Sequence, residues 1–362
     1  MRLFTVGPVE MLDEIRELGG EMVPYFRTAE FSELMLDTDR LLKKQMGAEE
    51  LAKGIYLTAS GSAAMEAAVL NCFSTEDKLL IVNGGSFGQR FVDICRIHSL
   101  PYEEIKLAAA EEFTAEHLAK YNPADFTGFL VNIDETSTGQ LYDIGLISDF
   151  CRRGNLYLVV DAISSFLCDE YEMAKYDIDV TIISSQKGLC VPPGMSVVML
   201  SERITEERVK KSRYASLYFD FKNYLHNFER GQTPYTPAVG ICVQMNRALH
   251  LVEKEGLANH LAHVQKVAVD FRSKAIEQLP VKLPAYPLSN AVTPLIFQQP
   301  IAYKVFETLK DEYDIFVNPT GGATHDTVLR VAHIGKTDTA DNDMLLKYMK
   351  LAVAKICKKR KT

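Results

Sequence analysis

The chain has 362 residues, 47% of them apolar and 24% charged, enough to bury a sizeable core in one large domain with a smaller one beside it. With 40 basic against 48 acidic side chains its formal charge is −8, which disfavours nucleic acid as a partner, because phosphate neutralisation needs a basic surface. No apolar run approaches the length needed to span a bilayer, and the opening MRLFTVGPVE has no long apolar core, so no membrane association and a cytoplasmic location are expected.

Between about Ile55 and Leu200, the short apolar runs IYLTA, LLIVN, GFLVNI, LYLVVDA, VTIISS and SVVML alternate with stretches of helical length. The helix candidates Ser62–Phe73, Phe87–His98 and Leu146–Arg153 carry apolar residues at spacings of about three and four. This alternation predicts an α/β unit over residues 1–240, a mostly parallel sheet covered by helices. From Ala238 the pattern changes to a long helical stretch, then VTPLIF, a helix from about Ala302, DIFVN, TVLRVAH and a terminal helix from about Thr339. Residues 241–362 are therefore expected to form a smaller α+β domain, with the basic tail KICKKRKT as its solvated helix end. The seven cysteines are odd in number, scattered and mostly within apolar segments, so reduced structural thiols are expected and neither a disulfide framework nor a metal site is suggested.

Ligands of such sheets bind beyond the carboxyl ends of the strands, so the residues just after each apolar run matter most. Thr58-Ala59-Ser60-Gly61-Ser62-Ala63 turns from a strand into a helix through small residues, which expose backbone N–H groups as a phosphate cradle or simply cap the helix. Asn83-Gly84-Gly85-Ser86-Phe87-Gly88-Gln89-Arg90 follows the next run; its glycines permit close backbone approach, and Phe87 can lie against a heteroaromatic ring or in the core. Glu135-Thr136-Ser137-Thr138-Gly139 brings hydroxyls to the same edge. Asp161 closes LYLVVD, and a carboxylate at the end of a buried strand needs a partner, such as a protonated ring nitrogen, or caps the following turn. Lys187, in Ser184-Ser185-Gln186-Lys187-Gly188, stands after another apolar run and before the turn Pro192-Pro193-Gly194. A lone lysine in a polar loop is ordinarily a surface residue, but a desolvated one loses its proton more readily and can condense with an aldehyde. One helical connection and one strand separate Asp161 from Lys187, which puts both at one edge of the sheet.

In this order, SSQKGLCVPPG, VVDAISS, ETSTG, NGGSFGQR and TPYTP resemble the class V, fold-type I aminotransferases that use pyridoxal phosphate (PLP), most closely the alanine–glyoxylate and serine–pyruvate branch. The likeness runs from TVGP near the start to VLRVAHIG near the end. It implies a large domain with a mostly parallel seven-stranded sheet, and Lys187 as the residue that carries the cofactor as a Schiff base and shuttles the α-proton. Asp161 would pair with the ring nitrogen, Ser60, Gly61, Ser62, Ala63 and Gln186 would hold the phosphate, and Thr136 would sit near the ring hydroxyl. Ile163 would pack on one ring face and Phe87 would cover the other, where many relatives carry tryptophan, a residue this chain lacks. Thr233 or Thr236 would reach the phosphate of a neighbouring subunit, implying a homodimer with shared sites. Arg330 matches the arginine that clamps the substrate carboxylate, Gly7 would border the pocket, and Arg27 is a second candidate anion contact.

The resemblance implies amino transfer from a small amino acid such as alanine or serine to pyruvate or glyoxylate. Aminoethylphosphonate–pyruvate and ureidoglycine–glyoxylate aminotransferases are the alternatives within the class. The phosphonate branch would need extra cations, with Arg27, Arg90 and Arg230 as candidates, and its lysine segment reads closer to SANK than to SSQK. Cysteine desulfurases need a mobile cysteine that the Asn318–His325 loop lacks. A catalytically lapsed binding subunit is disfavoured by Lys187, Asp161 and Arg330 standing together, and a nucleotide-binding protein by the absence of GxGxxG or GxxxxGK[ST].

Overall fold

The computed structural model describes residues 1–359; the last three residues of the basic tail, part of the expected solvated end, lie outside the described residues. Seven strands form the main sheet in the spatial order Lys53–Leu57, Ser196–Leu200, Val180–Ser184, Tyr157–Asp161, Gly128–Asn132, Leu79–Asn83 and Tyr102–Lys106. Ser196–Leu200 alone runs opposite to the other six strands. The central strands are buried throughout, which is why they read as continuous apolar runs, whereas the edge strand Tyr102–Lys106 keeps three of its five residues charged or exposed to water. Register aligns Asn132 with Asp161, and Asp161 with Ile182, so the polar strand ends stand side by side at one edge.

Helices Gly61–Cys72 and Ser86–Ile97 cover one face, burying Ala64, Met65, Ala68, Phe91 and Cys95 against Ile81, Leu130, Val159 and Ile182. On the other face lie helices Ala29–Met46, Ile144–Gly154 and Val239–Glu255, with Met35, Leu42, Ile147, Phe150, Met245 and Leu249 packed against Phe129, Leu158 and Val197. Helix Ala29–Met46 was not anticipated. Its N-terminus is capped by the Thr28 hydroxyl accepting from the Phe31 N–H, and its end by Gly47 in the left-handed conformation.

A second sheet has the order Arg2–Phe4, Ile315–Pro319, Val328–Ala332, Val292–Phe297 and Val281–Lys282. Helices Leu257–Gln278, Ala302–Tyr313 and Thr339–Lys359 close it around Phe271, Leu295, Leu309, Leu329 and Met349. Its first strand comes from the chain's N-terminus and pairs in parallel with Ile315–Val317. Residue 240, where the sequence pattern changes, lies within helix Val239–Glu255, whose buried face belongs to the core of the main sheet. From Phe4 the chain crosses back to the main sheet and passes directly beside Lys187.

Candidate active site

Lys187 follows strand Val180–Ser184 in a turn closed by the Cys190 N–H donating to the Lys187 carbonyl at 2.8 Å. It is 8% exposed, and its alkyl stem lies under Gly7: a β-carbon added to Gly7, whose φ is +142°, would fall 2.9 Å from Lys187 Cε. Burial brings the Lys187 ammonium down to about 8, with Asp134 and Asp161 opposing that fall. A group poised there supplies a free amine near neutral pH without losing its ability to hold a proton.

Asp161 ends strand Tyr157–Asp161 and accepts from the Ile163 N–H at 2.9 Å. Burial pushes its carboxyl up to about 6, against the pull of that bond and of the Lys187 and Arg90 charges. Ile163 in turn reaches the start of helix Gly61–Cys72, where a β-carbon on Gly61 would fall 2.4 Å from Ile163 Cδ1. Ser60 precedes that helix without using its side chain as a cap, so the first N–H groups, at Gly61, Ser62 and Ala63, have no side-chain acceptor in the cap position. Gln186 is half-buried, with its carbonyl oxygen accepting from Ser184 Oγ at 2.7 Å.

Phe87 sits in the first turn of helix Ser86–Ile97, with the Arg90 guanidinium 4.8 Å over its ring. Glu135, which the sequence reading passed over, fixes this turn. Its carboxylate accepts from the Phe87 N–H at 3.2 Å, the Gly88 N–H at 2.9 Å and Asn132 Nδ2 at 2.9 Å, capping the helix from a neighbouring strand end. Thr136 is buried, with its hydroxyl 2.7 Å from Ser164 Oγ.

Arg330, on strand Val328–Ala332, reaches the main sheet and donates from Nη1 to the Thr136 carbonyl at 2.9 Å and from Nη2 to the Pro319 carbonyl at 3.3 Å. Its Nε is buried with no partner among the described residues, which leaves donor capacity along one edge of the guanidinium. Gly7 and Arg330 thus join Lys187, Asp161, Ile163, Thr136, Phe87 and the Ser60–Ala63 turn around the carboxyl edge of the sheet. Arg27 is placed otherwise: it donates to Gln232 Oε1 at 2.9 Å and to the Thr233 and Pro234 carbonyls at 3.0 and 3.2 Å, so its guanidinium pins the 232–236 loop. In that loop the Thr233 hydroxyl is buried and donates to the Tyr235 carbonyl at 2.7 Å, while Thr236 is exposed. Among the described residues, no helix is long and apolar enough to cross a membrane, and no cluster of histidine, cysteine or acidic side chains could hold a metal ion.

Residues 24–334 match the family model for class V aminotransferases. An uncharacterized aminotransferase from Methanocaldococcus jannaschii is 31% identical over 345 residues, 92% of this chain and 87% of that protein. A serine–glyoxylate aminotransferase from Hyphomicrobium methylovorum is 27% identical over 93% of this chain and 85% of its own length. Among solved structures, a subgroup IV aspartate aminotransferase from Thermus thermophilus superposes with a TM-score of 0.90 at 24% identity, covering 98% of this chain and all of that one. With a buried lysine and a buried carboxylate at adjacent strand ends of this sheet, the chain belongs to the class V aminotransferase family and is a transaminase that uses pyridoxal phosphate.

Proposed function

We propose that the enzyme moves an amino group from a small amino acid, alanine, serine or one of similar size, to glyoxylate or pyruvate in two half-reactions at a single site. The observation that carries this reading is the unpartnered, buried Nε of Arg330 in the same site as Lys187, whose ammonium burial brings down to about 8. Together they define one carboxylate-binding edge and one amine, the two groups an α-amino acid must meet.

The residues fit PLP. Only glycine at position 61 lets Ile163 close against the helix start, and the uncapped N–H groups there suit a phosphate. Asp161, raised to about 6 by burial, gains a matching charge from a protonated ring nitrogen. When bound, the cofactor supplies an aldehyde carbon that condenses with amines and a ring that withdraws electrons from the carbon losing its proton. Asp161 would hold a proton on the cofactor's ring nitrogen and Ile163 and Phe87 would hold its ring, while Glu135 keeps Phe87 in place through its backbone. Arg330 grips the substrate carboxylate, which presents the α-hydrogen to the Lys187 amine, and Lys187 Nζ carries that proton from Cα. Gly7, lying on the lysine stem, limits where the amine can swing.

A second copy of the chain completes the site in this reading, with the exposed Thr236 hydroxyl reaching the neighbour's phosphate. Support comes from an apolar side chain beside that loop: Leu217 is 84% exposed, and its carbonyl accepts from the Tyr235 hydroxyl.

The test is spectrophotometric. Alanine, serine, aspartate and aminoethylphosphonate are added one at a time to the PLP-loaded enzyme, and conversion to the pyridoxamine form is followed in wild type and in Arg330→Ala. Rapid conversion by alanine or serine, with at least about a tenfold weaker dependence on donor concentration in the variant, is expected from loss of a charge-assisted bidentate contact. Conversion by aminoethylphosphonate alone, or equal alanine affinity before and after the substitution, would overturn the substrate reading.

A further inference from the structure

The N-terminal segment reaches Lys187 by way of the small sheet. Strand Arg2–Phe4 pairs with Ile315–Val317, and its last aligned pair is Phe4 with Val317. Beyond that pair the chain bends away and a side chain takes over from the ladder: Asn318 Oδ1 accepts from the Val6 N–H at 2.6 Å. Val6 is 6% exposed and shares an apolar cluster with Val292 and Ala332 of the same sheet. The Thr5 hydroxyl closes the bend by donating to the Pro8 carbonyl at 2.5 Å, and the Lys336 N–H ties its far end by donating to the Glu10 carbonyl at 2.8 Å. The anchors at Val317, Asn318 and Lys336 thus lie on the small domain, while Gly7, at the middle of this strap, rests on the lysine of the main sheet. There is little slack at that contact. A β-carbon on Gly7 would stand 2.9 Å from Lys187 Cε, 3.0 Å from Cδ and 3.2 Å from the Gln186 carbonyl oxygen, so a shift of Gly7 by about an ångström changes the packing on the lysine stem.

Asn318 also has a cross-strand neighbour of consequence. It stands directly opposite Arg330 where Ile315–Pro319 pairs with Val328–Ala332 in antiparallel register. Residues so paired project to the same face, with β-carbons about 4.5–5.5 Å apart, so Asn318 is on the face from which Arg330 reaches the Thr136 carbonyl. One half-buried amide therefore lies beside the guanidinium and, through one hydrogen bond and one residue of backbone, controls the roof over the amine. The residue type suits both duties. An apolar side chain would leave the buried Val6 N–H without its acceptor. A carboxylate would hold that N–H equally well, but its charge would draw on the Arg330 guanidinium and compete with a ligand's carboxylate. A neutral amide accepts from the strap and leaves the arginine's charge for the substrate.

We propose that Asn318 is a positioning residue of the transamination, holding the strap so that Gly7 sets the reach of the Lys187 amine relative to the carboxylate grip of Arg330. It acts through Val6 and Gly7 and needs no contact of its own with substrate or cofactor. The inference rests on Lys187 and Arg330 having the roles proposed above.

The test follows single turnovers of the PLP-loaded enzyme to the pyridoxamine form, with alanine and α-deuterated alanine as donors. Asn318→Ala should lower the saturating rate about 10- to 100-fold, the cost of misplacing a reacting group by about an ångström, while the half-maximal donor concentration moves less than about threefold. The deuterium effect on that rate should be at least as large as in wild type, because the slowed step is the passage of the proton from Cα to the lysine. Asn318→Asp keeps the acceptor, so its saturating rate should return toward wild type, but its charge beside Arg330 should raise the half-maximal donor concentration about tenfold. Hydrogen exchange at the Val6 amide, read in cofactor-free and PLP-loaded protein, should be slow in wild type and Asn318→Asp and fast in Asn318→Ala. A wild-type saturating rate in Asn318→Ala, a slowing without a deuterium effect, or an Asn318→Asp variant equally slow would overturn the proposal. A lower urea midpoint with unchanged kinetics would reduce Asn318 to a brace of the fold and refute it as well. Lys187→Ala and Arg330→Ala are run alongside: wild-type conversion in either means that the reading of the site fails, whereas the expected losses in both with Asn318→Ala unaltered refute the positioning role alone.

Discussion

Replacing Gly61 by alanine perturbs the site at the point where the phosphate cradle and the ring wall meet. The added β-carbon would stand 2.4 Å from Ile163 Cδ1 and 3.6 Å from Ser184 Cβ, so the second contact is ordinary and the first is not. Nonbonded carbons settle at about 3.5–4.0 Å, so the Ile163 tip must retreat by roughly 1.1–1.6 Å. Overpacking of this size costs about 1–3 kcal/mol, and if the strain falls on the cofactor-bound state the PLP dissociation constant rises about 5- to 150-fold. Titration of PLP into the cofactor-free chain, followed by visible absorption, measures it directly. Ile163→Val removes the clashing Cδ1, so the double variant Gly61→Ala/Ile163→Val should bind more tightly than Gly61→Ala alone, a coupling that a double-mutant cycle isolates. Wild-type affinity in Gly61→Ala, or a double variant no better than the single one, would refute the cradle geometry.

Glu135→Ala should destabilise the chain by about 1–3 kcal/mol, because the Phe87 and Gly88 N–H groups lose their acceptor; a lower urea midpoint with an unchanged slope is the expected sign. In the cofactor-free chain, stability should fall as pH rises from about 4 to about 8, since folding raises Asp134 to about 8 and Asp161, Asp169 and Asp179 to about 6, all from 3.8, and the folded state holds the extra protons. Lys187 has the opposite sign: lowered from 10.5 to about 8, its own contribution to stability returns between about 8 and 10.5, opposed above about 9 by buried thiols such as Cys95, Cys190 and Cys242, which burial raises from 9.0 to about 12. Melting temperatures against pH should show wild type gaining on Lys187→Ala between about 8 and 10.5, the window of the lysine's own contribution; a difference between the two that does not change with pH would contradict the buried ammonium.

The main sheet was legible because its strands are buried on both faces and therefore appear as unbroken apolar runs, and the rule that ligands meet the carboxyl ends of such strands led directly to Lys187 and Asp161. The N-terminal strand Arg2–Phe4 was not legible: three residues carry no period, and its partner Ile315–Val317 lies at the far end of the chain. Helix Ala29–Met46 was missed although Thr28 and Gly47 mark its ends, because charged residues interrupt its apolar stripe. Arg27 resembled an anion contact in its local setting; its acceptors on Gln232, Thr233 and Pro234 become visible only when the chain folds. Asp134 and Glu135 did leave a signal, two acids immediately after a buried strand, but the hydroxyls that follow them in ETSTG drew the functional reading. Opposite fates for adjacent carboxylates, one filled with donors and one bare, are a property of the packed structure alone.

The central claim is that Lys187 is the lysine that meets the cofactor, and the most direct measurement is to reduce the PLP-loaded enzyme with borohydride, digest it and locate the modified residue by mass spectrometry. A single phosphopyridoxyl group on the peptide containing Ser185-Gln186-Lys187-Gly188, with loss of the visible band and of transamination, is the result this account requires. A band that survives in Lys187→Ala, or a label on any other lysine, would contradict it.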